Sequence, residues 1–473
     1  MIRLARTADN RPTSPSHSAH MVGICGSGMQ SLAGVLLERG WRLTGSDVEP
    51  ARAAWLRSSG VPVATGHAVE HLPEDAGLLI YSDAVGPDNA ERRQALARGI
   101  AQFSYPAMLG QLMAGRQGVA VTGTHGKSTV TAMAASVLLN AGMDPTVVVG
   151  ATPKGRDHGG RHGSDALVLV EACEYRANFL HLVPQAAVVL GIEADHFDYF
   201  RSLGDVEGAF RRFLIQLPPG AQVIVNGDCP ATARATLGLP LNTETFGWDR
   251  SADWHAADVR ATAGRYRFQL MHRGIAVTDV RLAVAGRHQV GNAVAAAALA
   301  HSAGASAEAI GEGLWRFRGL KRRLELLGSW QGITLVDDYA HHPTEVRAAL
   351  ATVREQYPNR RLWCIFEPHQ ASRTRHLLDE FAASLQNADV VAVADIVRAR
   401  EGPPQAGEVQ AADLARRVED GGASVVGCHT RGEILDELSA RAVPGDVVLT
   451  LGAGDIRKVC YGLASRLRRP CAA

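Results

Sequence analysis

Lysine is almost missing from this chain. It stands only at Lys127, Lys154, Lys321 and Lys458, so arginine carries nearly all the positive charge. A GC-rich genome accounts for that bias as a whole, but it does not explain where the remaining lysines stand. Long apolar runs are missing too. Runs such as AAVVLGI fall far short of the roughly 20 residues a membrane-spanning helix needs, which excludes a helical span. Formal net charge is only +1, and no stretch gathers basic residues with aromatics. A nucleic-acid or membrane-surface role therefore lacks its electrostatic footprint. No C-x-x-C pair occurs among the 7 scattered cysteines. That speaks against a zinc knuckle and for reduced thiols in a cytoplasm. Residues 1–20 have no apolar segment of the secretory kind and read as a disordered leader. Internal repeats and low-complexity segments are absent.

What is present is the composition of a globular protein, with 46% hydrophobic residues over 473 positions. That length holds roughly two to four domains. Short apolar strands alternate with amphipathic helices from HMVGI onward, the pattern of βαβ units and parallel sheets. Residues 247–287 break the alternation and read as antiparallel β. The expected class is α/β in three domains: residues 21–111 and 327–473 Rossmann-like, and residues 112–326 of the P-loop ATPase type.

Two loops and one group of clusters carry the chemistry. The first loop, Gly23-Ile24-Cys25-Gly26-Ser27-Gly28, lies between an apolar strand and a helix. It approaches the dinucleotide fingerprint G-x-G-x-x-G, with Cys25 where the middle glycine belongs. Gly23, Gly26 and Gly28 are expected to offer free N–H groups to a diphosphate, with the small Cys25 beside it. Asp47, closing the second strand, joins the candidate set.

The second loop is Gly123-Thr124-His125-Gly126-Lys127-Ser128-Thr129. It too follows an apolar strand and opens a helix. Backbone N–H groups at such a helix start converge on phosphate oxygens, the lysine reaches the β- and γ-phosphates, and the serine can ligate Mg²⁺. The spacing G-x-x-G-K-S is shorter than the usual P-loop, yet one of only four lysines stands in it. Mg²⁺ also needs acids at neighbouring strand ends. Glu171 ends ALVLVE, and His196, near Glu193 and Asp195, follows VVLGIEAD.

Further on, VDDYAHHPTE places Asp337, Asp338, His341, His342 and Glu345 beyond a strand. IFEPHQASRTR does the same for His369 and Arg373, and LGAGD for Gly452, Gly454 and Asp455. In an open parallel sheet these clusters gather at one edge, where ligands bind. His342 and Glu345 read as helix-start residues, since Pro343-Thr344-Glu345 is a helix opening. Arg373 reads as a ligand residue, because guanidinium clamps carboxylates and phosphates.

Taken together, GICGSGM, GTHGKST, EACEYRANFL, IEADHFDYF, GRHQVGN, GLKRRLE, DDYAHHPTE and EPHQASRTR resemble the Mur ligases of bacterial cell-wall synthesis, over nearly the whole chain past residue 20. The resemblance is closest to the alanine-adding branch. It implies a first domain holding UDP-N-acetylmuramate through Gly23, Cys25, Gly26, Ser27, Gly28 and Asp47, a central domain binding Mg·ATP, and a last domain presenting L-alanine. It assigns Lys127 and Ser128 to the phosphate loop and Glu171 and His196 to Mg²⁺. His288 and Asn292 fall near the adenine, and His341, His369 and Arg373 around the lactyl carboxylate and the incoming alanine, with His341 or His369 as base. Four departures stand out: Cys25, Gln289, Gln370-Ala371 in place of Arg-Tyr, and EACEY in place of EADES. Sister enzymes that add later amino acids use a carbamylated lysine beyond the His196 position. No lysine lies between Lys154 and Lys321, so that device is impossible here.

Three other readings compete: a ligase that recycles a whole tripeptide onto UDP-N-acetylmuramate, a nicotinamide oxidoreductase suggested by the first loop and Asp47, and a non-catalytic nucleotide-binding scaffold.

Overall fold

The computed structural model describes residues 17–468 apart from Asp165 and Cys428. The expected leader lies mostly outside the described residues, but its last residues do not belong to it, since Ser18–His20 already form part of the first strand. By contact the chain divides into two compact units.

The first unit comprises the described residues through Gly118 together with Asp144–Thr152 and Arg156–Val170. Its sheet is built from β1 (Ser18–Val22), β2 (Arg42–Asp47), β3 (Val63–Thr65), β4 (Leu78–Tyr81) and β5 (Ala101–Ser104), in the order β3-β2-β1-β4-β5. Every pairing is parallel. The order reverses at β1, and the glycine loop leaves β1 at that switch point to open the helix Ser27–Glu38. That helix buries Leu32, Ala33, Val35 and Leu36. At Gly28 a side chain would lie 2.8 Å from the Tyr105 ring, so the glycine is needed for close packing.

In the second unit β6 (Gln117–Thr122) pairs in parallel with β10 (Ala186–Val189). Between them in sequence come three strands that belong, up to Val170, to the first unit: β7 (Thr146–Val148), β8 (Gly160–Arg161) and β9 (Leu167–Glu171). Beyond β10 follow β11 (Gln222–Asn226), β12 (Asn242–Gly247), β13 (Trp254–Thr262), β14 (Arg265–His272) and β15 (Ile275–Ala285). The last two pairings are antiparallel, as the 247–287 stretch predicts. Thr122 lies opposite Val189 in the register, so the loops leaving β6 and β10 emerge side by side.

The remaining sheet has the order β16-β17-β21-β18-β19-β20, with β16 (Glu325–Trp330), β17 (Ile333–Asp338), β18 (Leu362–Phe366), β19 (Val390–Val393), β20 (Ser424–Val426) and β21 (Val447–Leu451). Sequence reading misses β16, an antiparallel edge strand that takes in the position 327 expected as a break. The parallel strands carry apolar cores on both faces, which is why they read as continuous apolar runs. Leu451 pairs with both Asp338 and Phe366, so the carboxyl ends of β17, β21 and β18 stand together.

Candidate active site

The glycine loop of the first unit satisfies more of its own backbone than expected. Gly23 and Ile24 donate to the Ser46 carbonyl, and Gly26 donates to the Gly23 carbonyl. Asp47 accepts the Cys25 N–H at 2.8 Å and so pins the loop. The Cys25 side chain turns inward. It is buried, its carbonyl accepts from Gln30, and burial together with the nearby Asp47 carboxylate pushes its thiol up to about 12. The free donors lie one step later. Helical geometry gives the N–H groups of Ser27, Gly28 and Met29 no intrahelical acceptor, and Gly26 at the N-cap has no side chain to supply one.

In the second unit the phosphate loop opens the helix Lys127–Asn140, whose N-cap Gly126 has φ +81. A side chain there would be strained by that φ and would meet Asn292 Oδ1 at 2.8 Å. Thr124 ties the loop to the segment after β10: its N–H donates to the Gly191 carbonyl and its hydroxyl accepts the Glu193 N–H. Lys127 does not extend outward. Its ammonium donates to the carbonyls of Gly123 and Thr124 and to both carboxylate oxygens of Glu174, at 3.0 and 2.8 Å. Burial works against its charge, but Glu174 outweighs it and raises the lysine above its ordinary range. Glu174 is fully buried and also lies 3.5 Å from His196 Nε2. Sequence reading passed over it, although two acids spaced three apart directly after a buried strand were a visible signal.

Ser128 Oγ donates to Glu171 at 2.9 Å, which brings together two of the expected Mg²⁺ ligands. They are hard oxygen donors of the kind Mg²⁺ takes. His196, held at φ +55, faces Glu174 instead. A different group, His125, Glu193 and His342, has one donor atom from each residue within 4.8 Å of the others. In that group each ring nitrogen of His125 already faces a carboxylate, so a proton satisfies it better than a metal.

The helix His288–Ser302 places His288 and Asn292 on one side of the loop. The departure Gln289 links them: its Nε2 lies 2.9 Å from His288 Nε2, and its Oε1 accepts from Asn292. Burial drives the His288 pKa down to about 4, so the ring is neutral and can accept. These residues, with His125, Thr129, Arg323 and Glu345, line a cavity of about 800 Å³.

Of the C-terminal candidates His341, His369 and Arg373, the arginine is the most enclosed. It is 2% exposed and its guanidinium Nε and a terminal nitrogen both lie 2.7 Å from Asp195 Oδ1, while the other terminal nitrogen donates to the His369 carbonyl at 3.1 Å. Here the fork grips a protein carboxylate, because Asp195 is buried and needs a countercharge. The two histidines differ in tautomer, and so in whether the uncontacted Nε2 carries the lone pair. The Arg373 N–H points at His369 Nδ1 at 3.4 Å, so that lone pair faces a donor. His341 instead donates Nδ1–H to the Tyr339 carbonyl at 3.0 Å, which leaves Nε2 bare. Burial lowers the His341 pKa to about 4 and the His369 pKa to about 3, so both rings are neutral near pH 7. Glu345, read as a helix-start acid, does open the helix Pro343–Gln356. It also accepts the His341 N–H at 3.0 Å and contacts His125 Nδ1 at 3.2 Å. Arg322, in GLKRRLE, was likewise missed: it pairs with Asp337 and donates to the carbonyls of Gly452 and Gly454.

Comparison with known proteins agrees over most of the chain, between residues 18 and 454. The Mur ligase family catalytic domain matches residues 18–117, the Mur ligase middle domain residues 121–300, and the Mur ligase glutamate ligase domain residues 322–454. UDP-N-acetylmuramate–L-alanine ligase of Salinibacter ruber is 39% identical over 442 residues, covering 92% of each chain. The crystal structure of UDP-N-acetylmuramate–alanine ligase from Thermotoga maritima superposes with a TM-score of 0.79 at 26% identity, covering 95% of this chain and 98% of that one. A murein peptide ligase from Psychrobacter arcticus gives 0.73 at 25% identity, covering 97% of this chain and 100% of that one. With the phosphate loop, its paired acids and the parallel sheets all in place, these matches establish that the chain belongs to the Mur ligase family and has its three-domain α/β fold.

Proposed function

We propose that the chain is a cytoplasmic ligase that joins L-alanine to the lactyl carboxylate of UDP-N-acetylmuramate, consuming Mg·ATP and releasing ADP and phosphate in peptidoglycan precursor synthesis. The observation that carries this reading is the pairing of Ser128 with Glu171 at a helix start that opens into a nucleotide-sized cavity. The 39% identity to a named alanine ligase over 92% of both chains supplies the substrates.

A carboxylate is a poor electrophile, and ATP activates it. Its oxygen attacks the γ-phosphorus, the bond to ADP breaks, and an acyl phosphate forms. The alanine amine then attacks the acyl carbon, the C–O bond to phosphate breaks, and the amide remains. Two anions meet in the first step, so fixed cations must offset their repulsion. Lys127 is the nearest at the loop, and a phosphate oxygen arriving there competes with Glu174 for the ammonium. First-turn N–H groups at Lys127, Ser128 and Thr129 add dipolar support. Ser128 and Glu171, with His196 close by, are the residues that would hold Mg²⁺, which when bound neutralises phosphate charge. His288 and Asn292 border the cavity where the base of the nucleotide would lie. In the second step His341, neutral and with Nε2 bare, is the better placed of the two histidines to take the amine proton. His369 and Arg373 stand next to it as the supporting pair. In the first unit, the helix start Ser27–Met29, with Gly23, Cys25, Gly26 and Asp47 shaping the loop, receives the UDP diphosphate.

The likeness to a murein peptide ligase keeps one alternative, a whole tripeptide as the incoming amine. Phosphate release and product mass, measured with UDP-N-acetylmuramate, Mg·ATP and either L-alanine or the tripeptide, decide between them. Alanine-dependent release is expected; release with the tripeptide alone overturns the assignment.

A further inference from the structure

We infer that Glu345 is a positioning residue: together with Glu193 on the opposite side, it holds His125 as an imidazolium at the phosphate loop, so that a bound nucleotide meets a further fixed cation besides Lys127 and Arg323. The inference rests on the nucleotide reading of the cavity.

The geometry is that of a ring held between two carboxylates. His125 Nδ1 lies 3.2 Å from Glu345 Oε1, and Nε2 lies 3.5 Å from Glu193 Oε2. A neutral imidazole has one N–H and one lone pair. In this setting the lone pair would face a carboxylate, which is repulsive, whereas an imidazolium donates from Nδ1 to Glu345 and keeps its positive Nε2, which makes no hydrogen bond, 3.5 Å from the Glu193 carboxylate. The two acids come from different places, Glu193 from the segment after β10 and Glu345 from the first turn of the helix Pro343–Gln356. A helix N-terminus favours a carboxylate charge.

Both acids are themselves fixed. Glu345 accepts the His341 N–H at 3.0 Å and lies 4.0 Å from Arg323. Glu193 accepts the Thr344 hydroxyl at 2.8 Å. The other titratable neighbour is His342, whose ring centroid is 4.6 Å from that of His125. Burial and then His125 itself lower its pKa, so it adds no charge that would expel the proton. Burial opposes charge on His125, but contact with Glu193 and Glu345 prevails and raises its pKa to about 10. His125 lines the cavity, so the charge faces the nucleotide space.

The decisive experiment titrates the histidine ring nitrogens of the nucleotide-free, full-length chain by NMR, with the His125 signals assigned by their loss in His125→Asn. In the wild type and in Glu345→Asp the ring is expected to stay doubly protonated past pH 8. In Glu345→Gln its proton affinity is expected to fall at least about tenfold, the effect of removing an adjacent opposite charge. In parallel, KM for ATP is expected to be flat from pH 6 to 8 in the wild type and to rise with pH in Glu345→Gln, with kcat changing less. An unchanged His125 titration in Glu345→Gln overturns the inference, as does a KM that gains no pH dependence. If Glu345→Gln does not fold, Glu193→Gln makes the same test from the other carboxylate. If the wild type binds no ATP, the nucleotide reading fails while the ring titration still decides whether the acids hold the proton.

Discussion

Lys127 is saturated before any phosphate arrives, with two loop carbonyls and both oxygens of Glu174 as partners. Two outcomes follow at the residue scale. Lys127→Ala should abolish ATP-dependent phosphate release, a loss of about a hundredfold or more if the lysine stabilises developing charge; turnover that survives speaks against the loop assignment. Lys127→Met should also destabilise the fold by about 3–5 kcal/mol, because it leaves Glu174 buried without its main countercharge. Urea unfolding should show that loss, and Lys127→Met/Glu174→Gln should recover most of it. His341 makes a different prediction. Its active form as a base is the unprotonated ring, and burial sets its pKa near 4. The rate should therefore fall as pH drops through about 4 and be level above it. His341→Gln should remove that limb and cost roughly 10²–10⁴ in kcat. Lys127, Ser128 and Glu171 were legible in the sequence because each sits at a fixed offset from a strand end. Glu345 and the Asp195–Arg373 pair were not, since each takes its meaning from residues far away in sequence. That the Cys25 thiol turns inward was not legible either, because nothing local shows which way a small side chain turns.

At the scale of elements, the site is assembled from starts of helices and ends of strands. Gly126 is one such tight point, with φ +81 and the Asn292 amide 2.8 Å from where a side chain would begin. Gly126→Ala should lower stability by about 1–3 kcal/mol from backbone strain and raise KM for ATP by displacing Asn292. A melting curve and ATP titration check both, and an unshifted Tm contradicts the strain argument. The buried Arg373–Asp195 pair ties the short helix Ala371–His376 to the segment beyond β10. Arg373→Met should cost about 3–5 kcal/mol, because Asp195 would stay buried without a partner. Parallel strands such as β9, β18 and β21 were readable as apolar runs ending in polar residues. The edge strand β16 was not, because its half-buried ELLGSW has neither a continuous apolar run nor a clean alternation.

At the scale of the whole molecule, strand–helix alternation disclosed an α/β chain, and the order of its loops disclosed a Mur ligase. The sequence also anticipated which strand ends would stand together, since open parallel sheets gather their ligands at the carboxyl edge. It could not anticipate how hydrogen bonds would divide the labour between His341 and His369, which depends on where the Tyr339 carbonyl and the Arg373 guanidinium fall. Among the described residues no helix is long and apolar enough to cross a membrane. The central claim is that the chain activates a lactyl carboxylate as an acyl phosphate and passes it to L-alanine. The most direct test supplies UDP-N-acetylmuramate with its carboxylate oxygens enriched in oxygen-18, together with Mg·ATP and L-alanine, and weighs the products. The account predicts one labelled oxygen in each phosphate released and one in the alanyl amide. Phosphate free of label, or a product mass without one added alanine, would contradict it.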